Sequence, residues 1–114
     1  MQIMVELREY LDGDGRSPFG EWRGELNAEA RGKVTTALYR MGLGNFSNVR
    51  GVGSGVFECK INFGPGYRVY FGKDGEQMVI LLGGGTKKRQ QRDIQQALAR
   101  WETFKQLKRR KEED

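Results

Sequence analysis

The stretch Glu58–Phe71, ECKINFGPGYRVYF, constrains the fold more than any other part of the chain. Two runs rich in β-branched and aromatic residues flank a Gly-Pro-Gly turn, which reads as a β-hairpin. Alternate side chains of a strand share a face. With the turn centred on Pro65, Asn62 stands opposite Arg68 and Lys60 opposite Tyr70. Glu58, Lys60, Asn62, Arg68 and Tyr70 then lie on one face, and Cys59, Ile61, Phe63, Tyr67, Val69 and Phe71 on the other. One face is core, and the other carries charge and an aromatic hydroxyl. Two readings of the polar face stand side by side. It is a solvated sheet surface with cross-strand pairs of about 0.2–1 kcal/mol each, or a concave basic surface that grips a phosphate backbone while an aromatic ring stacks a base. Cys59, on the apolar face, reads as a buried filler rather than a nucleophile.

The rest of the chain completes an α+β pattern. QIMVELREY alternates Ile3, Val5 and Leu7 against Met4, Glu6 and Arg8, the period of a half-buried strand. Ser17-Pro18 opens a short helix through Phe19, Trp22 and Leu26. Asn27 caps a second helix, with Val34, Leu38 and Met41 on one face, which Gly42 and Gly44 end. The two helices form an antiparallel hairpin. NVRGV and QMVILLG are further strands, the latter behind the KDGE turn (Lys73–Glu76). Beyond Gly85 the period becomes helical, with Ile94, Ala97, Leu98, Trp101, Phe104 and Leu107 on one stripe. The expected order is β-α-α-β-β-β-β-α, with the helices packed on a mainly antiparallel meander sheet. All 114 residues make one domain, of which about 108–114 are a charged, frayed end.

Composition then limits the chemistry. The chain carries 20 Lys+Arg against 15 Asp+Glu, a formal charge of +5, so a polyanion such as RNA or DNA is the leading class of ligand. It has no histidine, which removes His-based metal sites and Ser–His or Cys–His couples. A single cysteine fits a reducing cytosol, and no apolar run is long enough to span a bilayer, so a cytoplasmic protein without membrane partners is expected. LDGDGRSP is a turn rather than a calcium loop, because Arg16 and Arg23 stand where acidic ligands belong. LLGGGTKKRQQRDI is not a Walker loop: its glycines are contiguous, and Thr86 precedes Lys87. Leu81 and Leu82 end a core strand, the glycines lead the chain out of the sheet, and Lys87, Lys88 and Arg89 rim the polar face.

Four segments carry a resemblance to a known family: FGEWRGEL, LYRMGLGNFSNVRGVGSGVFECKI, FGPGYRVYF and LLGGGTKKRQQRDIQQA. Together they resemble the RelE/ParE superfamily of type II toxin–antitoxin toxins, in its HigB-like branch often labelled "addiction module killer protein". The pattern G-P-G-Y-R-V-Y-F followed by L-L-x-G-G-x-K-x-x-Q-x-x-D-I carries most of it. The resemblance implies a RelE-like fold and a bacterial toxin that cuts messenger RNA on the ribosome without metal or other cofactor. The RNA's 2′-hydroxyl attacks the adjacent phosphate and leaves a 2′,3′-cyclic phosphate. It also implies a cognate antitoxin, commonly a helix-turn-helix DNA-binding protein. A ParE-type inhibitor of DNA gyrase and a non-catalytic basic nucleic-acid-binding domain are the alternatives.

Carried over by motif, the catalytic group is Lys60, Arg68 and Lys87, with Glu58 and Tyr70 beside them. Arg68 neutralises charge on the phosphorane-like transition state. Lys60 assists there or accepts the 2′-hydroxyl proton, and Glu58 is the alternative base. Lys87, and less readily Tyr70, protonates the leaving 5′-oxygen. Arg50, Asn62, Lys88 and Arg89 bind RNA. Three positions depart from the family pattern: Lys60 replaces an arginine, Cys59 a leucine and Thr86 an aspartate.

Overall fold

The computed structural model describes residues 4–113. Strand β1 (Glu6–Glu9) leads into helices α1 (Pro18–Gly24) and α2 (Ala28–Gly42). Strands β2 (Val49–Gly53), β3 (Val56–Ile61), β4 (Tyr67–Lys73) and β5 (Met78–Thr86) follow. One 3-10 turn (Lys87–Arg89) enters helix α3 (Gln90–Glu113). The element order is the expected β-α-α-β-β-β-β-α, an α+β fold on a mixed sheet of five strands in the order β1-β5-β4-β3-β2. β1 pairs parallel with β5, and the other pairs are antiparallel. Of the strand expected around Ile3, Val5 and Leu7, positions 1–3 lie outside the described residues, while Val5 and Leu7 pack on the core.

Both helix starts expected from sequence are capped by the residues that predict them. Ser17 Oγ accepts from the Gly20 amide and Asn27 Oδ1 from the Ala30 amide, each at 2.9 Å. Each cap satisfies an amide that the first helical turn leaves without an intrahelical partner.

The sheet is covered on both faces, and this corrects the one-core reading of the hairpin. Phe19 of α1 and Val34 and Met41 of α2 close over Cys59, Ile61, Val69, Phe71, Val79 and Leu81. On the opposite face, Ala97 and Trp101 of α3 close over Val56, Tyr70, Ile80 and Leu82. The amphipathic stripe of α3 ends sooner than its sequence suggests, because Leu107 is exposed. Helix α3 continues through Glu113, and Lys108 reaches back to Asp74.

The three consecutive glycines stay inside β5 instead of leading the chain out of the sheet. Each is a seat for a side chain arriving from another element. A Cβ on Gly83 would lie 2.7 Å from an Arg100 nitrogen, and one on Gly84 would lie 2.2 Å from the Trp22 ring. A Cβ on Gly85 would lie 1.9 Å from Asp93 Oδ2. A register shift falls where Tyr70 pairs with Gly83 and Phe71 with Leu81, leaving Leu82 as an extra residue. The bulge resets the alternation of the strand, so that Gly83 and Gly85 lie beneath α3 and Gly84 beneath α1.

Candidate active site

The hairpin register places the polar side chains two residues away from the sequence expectation. Its turn centres on Gly64, so Lys60 pairs with Arg68 and Glu58 with Tyr70, whereas Asn62 has no strand partner. Face membership survives, because a shift of two preserves side-chain parity. What changes is exposure. Glu58 and Arg68 are only 2% and 4% exposed and Tyr70 is fully buried, so three of the five side chains lie in the interior rather than on an open concave surface. Lys60 and Asn62 remain exposed.

Glu58 is the hub. Arg50 Nε on β2 donates to its Oε1 at 2.9 Å, and Gln90 Nε2 on α3 donates to its Oε2 at 2.8 Å. Arg68 Nε on β4 lies 3.6 Å from Oε1, too far for a hydrogen bond but close enough to pair charges. A carboxylate buried this deeply requires such partners, since an isolated buried charge is heavily penalised. Strands β2, β3 and β4 and the start of α3 are therefore joined at one side chain.

Arg68 also reaches the beginning of α3. Its Nη1 donates to the Gly66 carbonyl at 2.8 Å, and the Lys87 amide donates to the same oxygen at 3.0 Å. Gly66 has φ +80, and a Cβ there would meet Arg68 Nη1 at 3.1 Å and Lys87 Cβ at 3.5 Å. The Gly-Pro-Gly turn thus brings the buried guanidinium of Arg68 beside the exposed Lys87, with Lys60 across the ladder. Lys88 and Arg89 stand apart from the Glu58 network. They line an exposed basic depression with Lys87, Gln90, Gln91 and Arg92.

Tyr70 departs from its sequence reading, and Cys59 keeps to it. Tyr70 is no surface ring for stacking a base: its hydroxyl is buried and has no hydrogen-bond partner. Burial, and then the neighbouring Glu58 carboxylate, push its ionisation well above the ordinary tyrosine value. Cys59 is the expected filler. Burial first and Glu58 second push its thiol up to about 11, which leaves it un-ionised at neutral pH.

Two side chains that sequence reasoning missed belong to this region. Gln90 completes the shell of Glu58. Asp93 lays its carboxyl over Gly85, the residue paired with Arg68, and its Oδ2 is buried without a partner. Burial raises the Asp93 pKa, opposed by Arg92, Arg89 and Arg100. An acid whose folded value is raised stabilises the fold in its protonated form. That contribution is complete below the ordinary Asp value of about 3.9 and is lost as pH rises through the folded value. Asp93→Asn, which keeps the shape without the charge, is therefore expected to raise the midpoint of thermal unfolding at pH 7. The gain should disappear near pH 3, as calorimetry at the two pH values would read.

No family model matches the chain. It is 41% identical over 80 residues to an uncharacterized protein of Haemophilus influenzae, in an alignment that covers 69% of this chain and 81% of that protein. The chain belongs to the family of that Haemophilus influenzae protein.

Proposed function

We propose that the chain is a RelE/ParE-type toxin of the HigB-like branch that cuts messenger RNA on the ribosome and is held inactive by a cognate antitoxin. The observation that carries this reading is the convergence of Arg68, Lys87 and Lys60 at the Gly66 turn, with a carboxylate behind them. Such a group suits a reaction in which negative charge accumulates on phosphorus.

In the proposed reaction the RNA's 2′-oxygen attacks the adjacent phosphorus and the bond from phosphorus to the 5′-oxygen breaks. The products are a 2′,3′-cyclic phosphate and a free 5′-hydroxyl. The nucleophile belongs to the substrate, so no metal-bound water is required. Arg68 cannot deprotonate, and its task is to neutralise the equatorial phosphoryl oxygens. Lys60 and Lys87, both exposed, meet the phosphate from solvent. Lys60 as the free amine, or Glu58 as the carboxylate, takes the 2′-proton. Glu58 already accepts from Arg50 and Gln90, so it serves as base only once one of these contacts opens. Arg50, Asn62, Lys88 and Arg89, all exposed, extend a basic track for messenger or ribosomal RNA.

Expression of the chain alone is expected to arrest bacterial growth, and the product of the neighbouring gene, a helix-turn-helix protein in this reading, should restore it. Mapping of messenger 5′ ends after induction should find cuts inside translated codons. Lys60→Ala and Lys87→Ala are the cleaner probes, because neither side chain is buried. Each should slow cleavage by roughly tenfold or more if it contacts the transition state. Intact messages together with trapped gyrase–DNA complexes would replace this reading with the gyrase one.

A further inference from the structure

Expulsion of the 5′-oxygen requires a proton, and the two donors expected from sequence meet that need poorly. Tyr70 is fully buried under α3, whereas Asp93 as a whole is only half-buried. Lys87 is exposed in a cluster with Lys88, Arg89 and Arg92, so its task there is to bind phosphate. Asp93 is placed differently. Its carboxyl occupies the space that a side chain at position 85 would fill, and Gly85 is the ladder partner of Arg68. Paired residues share a face, so the carboxyl lies on the same face of the sheet as the Arg68 side chain, the α3 side. Its Oδ2 has no hydrogen-bond partner, an unusual state for a buried polar atom.

We propose that Asp93 supplies the proton to the leaving 5′-oxygen, an assignment that rests on the ribonuclease reading. As the 2′-oxygen bonds to phosphorus, its proton passes to the free amine of Lys60 or to the Glu58 carboxylate. As the bond from phosphorus to the 5′-oxygen breaks, the proton of the Asp93 carboxyl moves to that oxygen, and a carboxylate and a 5′-hydroxyl result. Proton number and charge are conserved over the cycle once the base returns its proton to solvent and Asp93 regains one. The groups around Asp93 suit both halves of the cycle. Burial favours the protonated acid before the step, while Arg89 from the 3-10 turn and Arg92 and Arg100 from α3 favour the carboxylate after it. Tyr70 faces the same space from β4. The triple glycine gains a chemical reason here, because no residue with a side chain at position 85 leaves room for the acid.

The decisive experiment compares leaving groups. Bacterial ribosomes are programmed with a message made once with the natural 5′-oxygen and once with a 5′-bridging sulfur in the codon held at the decoding site. Sulfur departs as a thiolate and needs no proton, as its ordinary thiol pKa of about 8.5 implies. Asp93→Asn, with Asp93→Ser in parallel, should lose roughly 10²–10⁴-fold on the oxygen substrate. Both should lose less than about tenfold on the sulfur substrate, since only the acid step is bypassed. Equal losses on the two substrates, or no loss on oxygen, would overturn the assignment. If the native chain cuts neither substrate, the ribonuclease reading itself falls and takes this assignment with it.

Discussion

Glu58→Leu is expected to cost about 3–5 kcal/mol of unfolding free energy, because it strands a guanidinium in the interior. The Arg68 side chain is 5% exposed, and without Glu58 it keeps only the Gly66 carbonyl as acceptor. Arg50 matters less: its side chain is 63% exposed and finds water when the carboxylate is gone. The diagnostic step is the second substitution. Adding Arg68→Met removes the stranded charge and fills the space with apolar atoms, so the double variant should recover most of the loss. Urea denaturation of the native, single and double variants completes the cycle. A double variant no more stable than Glu58→Leu would show that the pair is not what holds this region together. In the proposed function the double variant, although folded, should leave messages uncut. Structural and catalytic roles of Arg68 are separable in this way, whereas a simple Arg68→Ala confounds them.

Much of this network was legible in the alternation of ECKINFGPGYRVYF, and the reason is parity. A hairpin turn misplaced from Gly64 to Pro65 shifts the register by two residues, which mispairs Lys60 and Tyr70 yet leaves every side chain on its proper face. Burial of that face was not legible. The periodicity of α3 reveals that the helix hides a stripe, but the side of the sheet it crosses depends on contacts far apart in sequence. Gln90 and Asp93 were missed for the same reason. Each is a polar residue at the start of a helix, and its value lies in reaching Glu58 or Gly85 across the fold. The glycines misled in the opposite direction. Three in a row are poor strand formers, and their place inside β5 makes sense only with Arg100, Trp22 and Asp93 above them.

That explanation of the glycines predicts opposite signs for one chemical change at two positions. Gly84→Ala should destabilise by about 3 kcal/mol, at the upper end of the range for overpacking. The added methyl would stand 2.2 Å from Trp22 Cε3, inside the ring's contact distance. The ring cannot withdraw easily, because it meets Phe19 at 6.0 Å and Tyr67 at 6.2 Å between centroids. Gly72 makes the same point on the other face, where a Cβ would lie 2.4 Å from Trp101 Cε3. Gly32 is the contrast. It lies within α2 and a Cβ there meets nothing within 4 Å, so Gly32→Ala should stabilise by roughly 0.5–1 kcal/mol through helix propensity and a less entropic unfolded chain. Urea unfolding of the two alanine variants reads both signs. Should Gly84→Ala prove neutral, Trp22 would have room to move, and the close seating of α1 on β5 would not be what requires a glycine there. If the loss appears, the triple glycine is explained by packing at its centre, and only its last member, beneath Asp93, bears on the proposed chemistry.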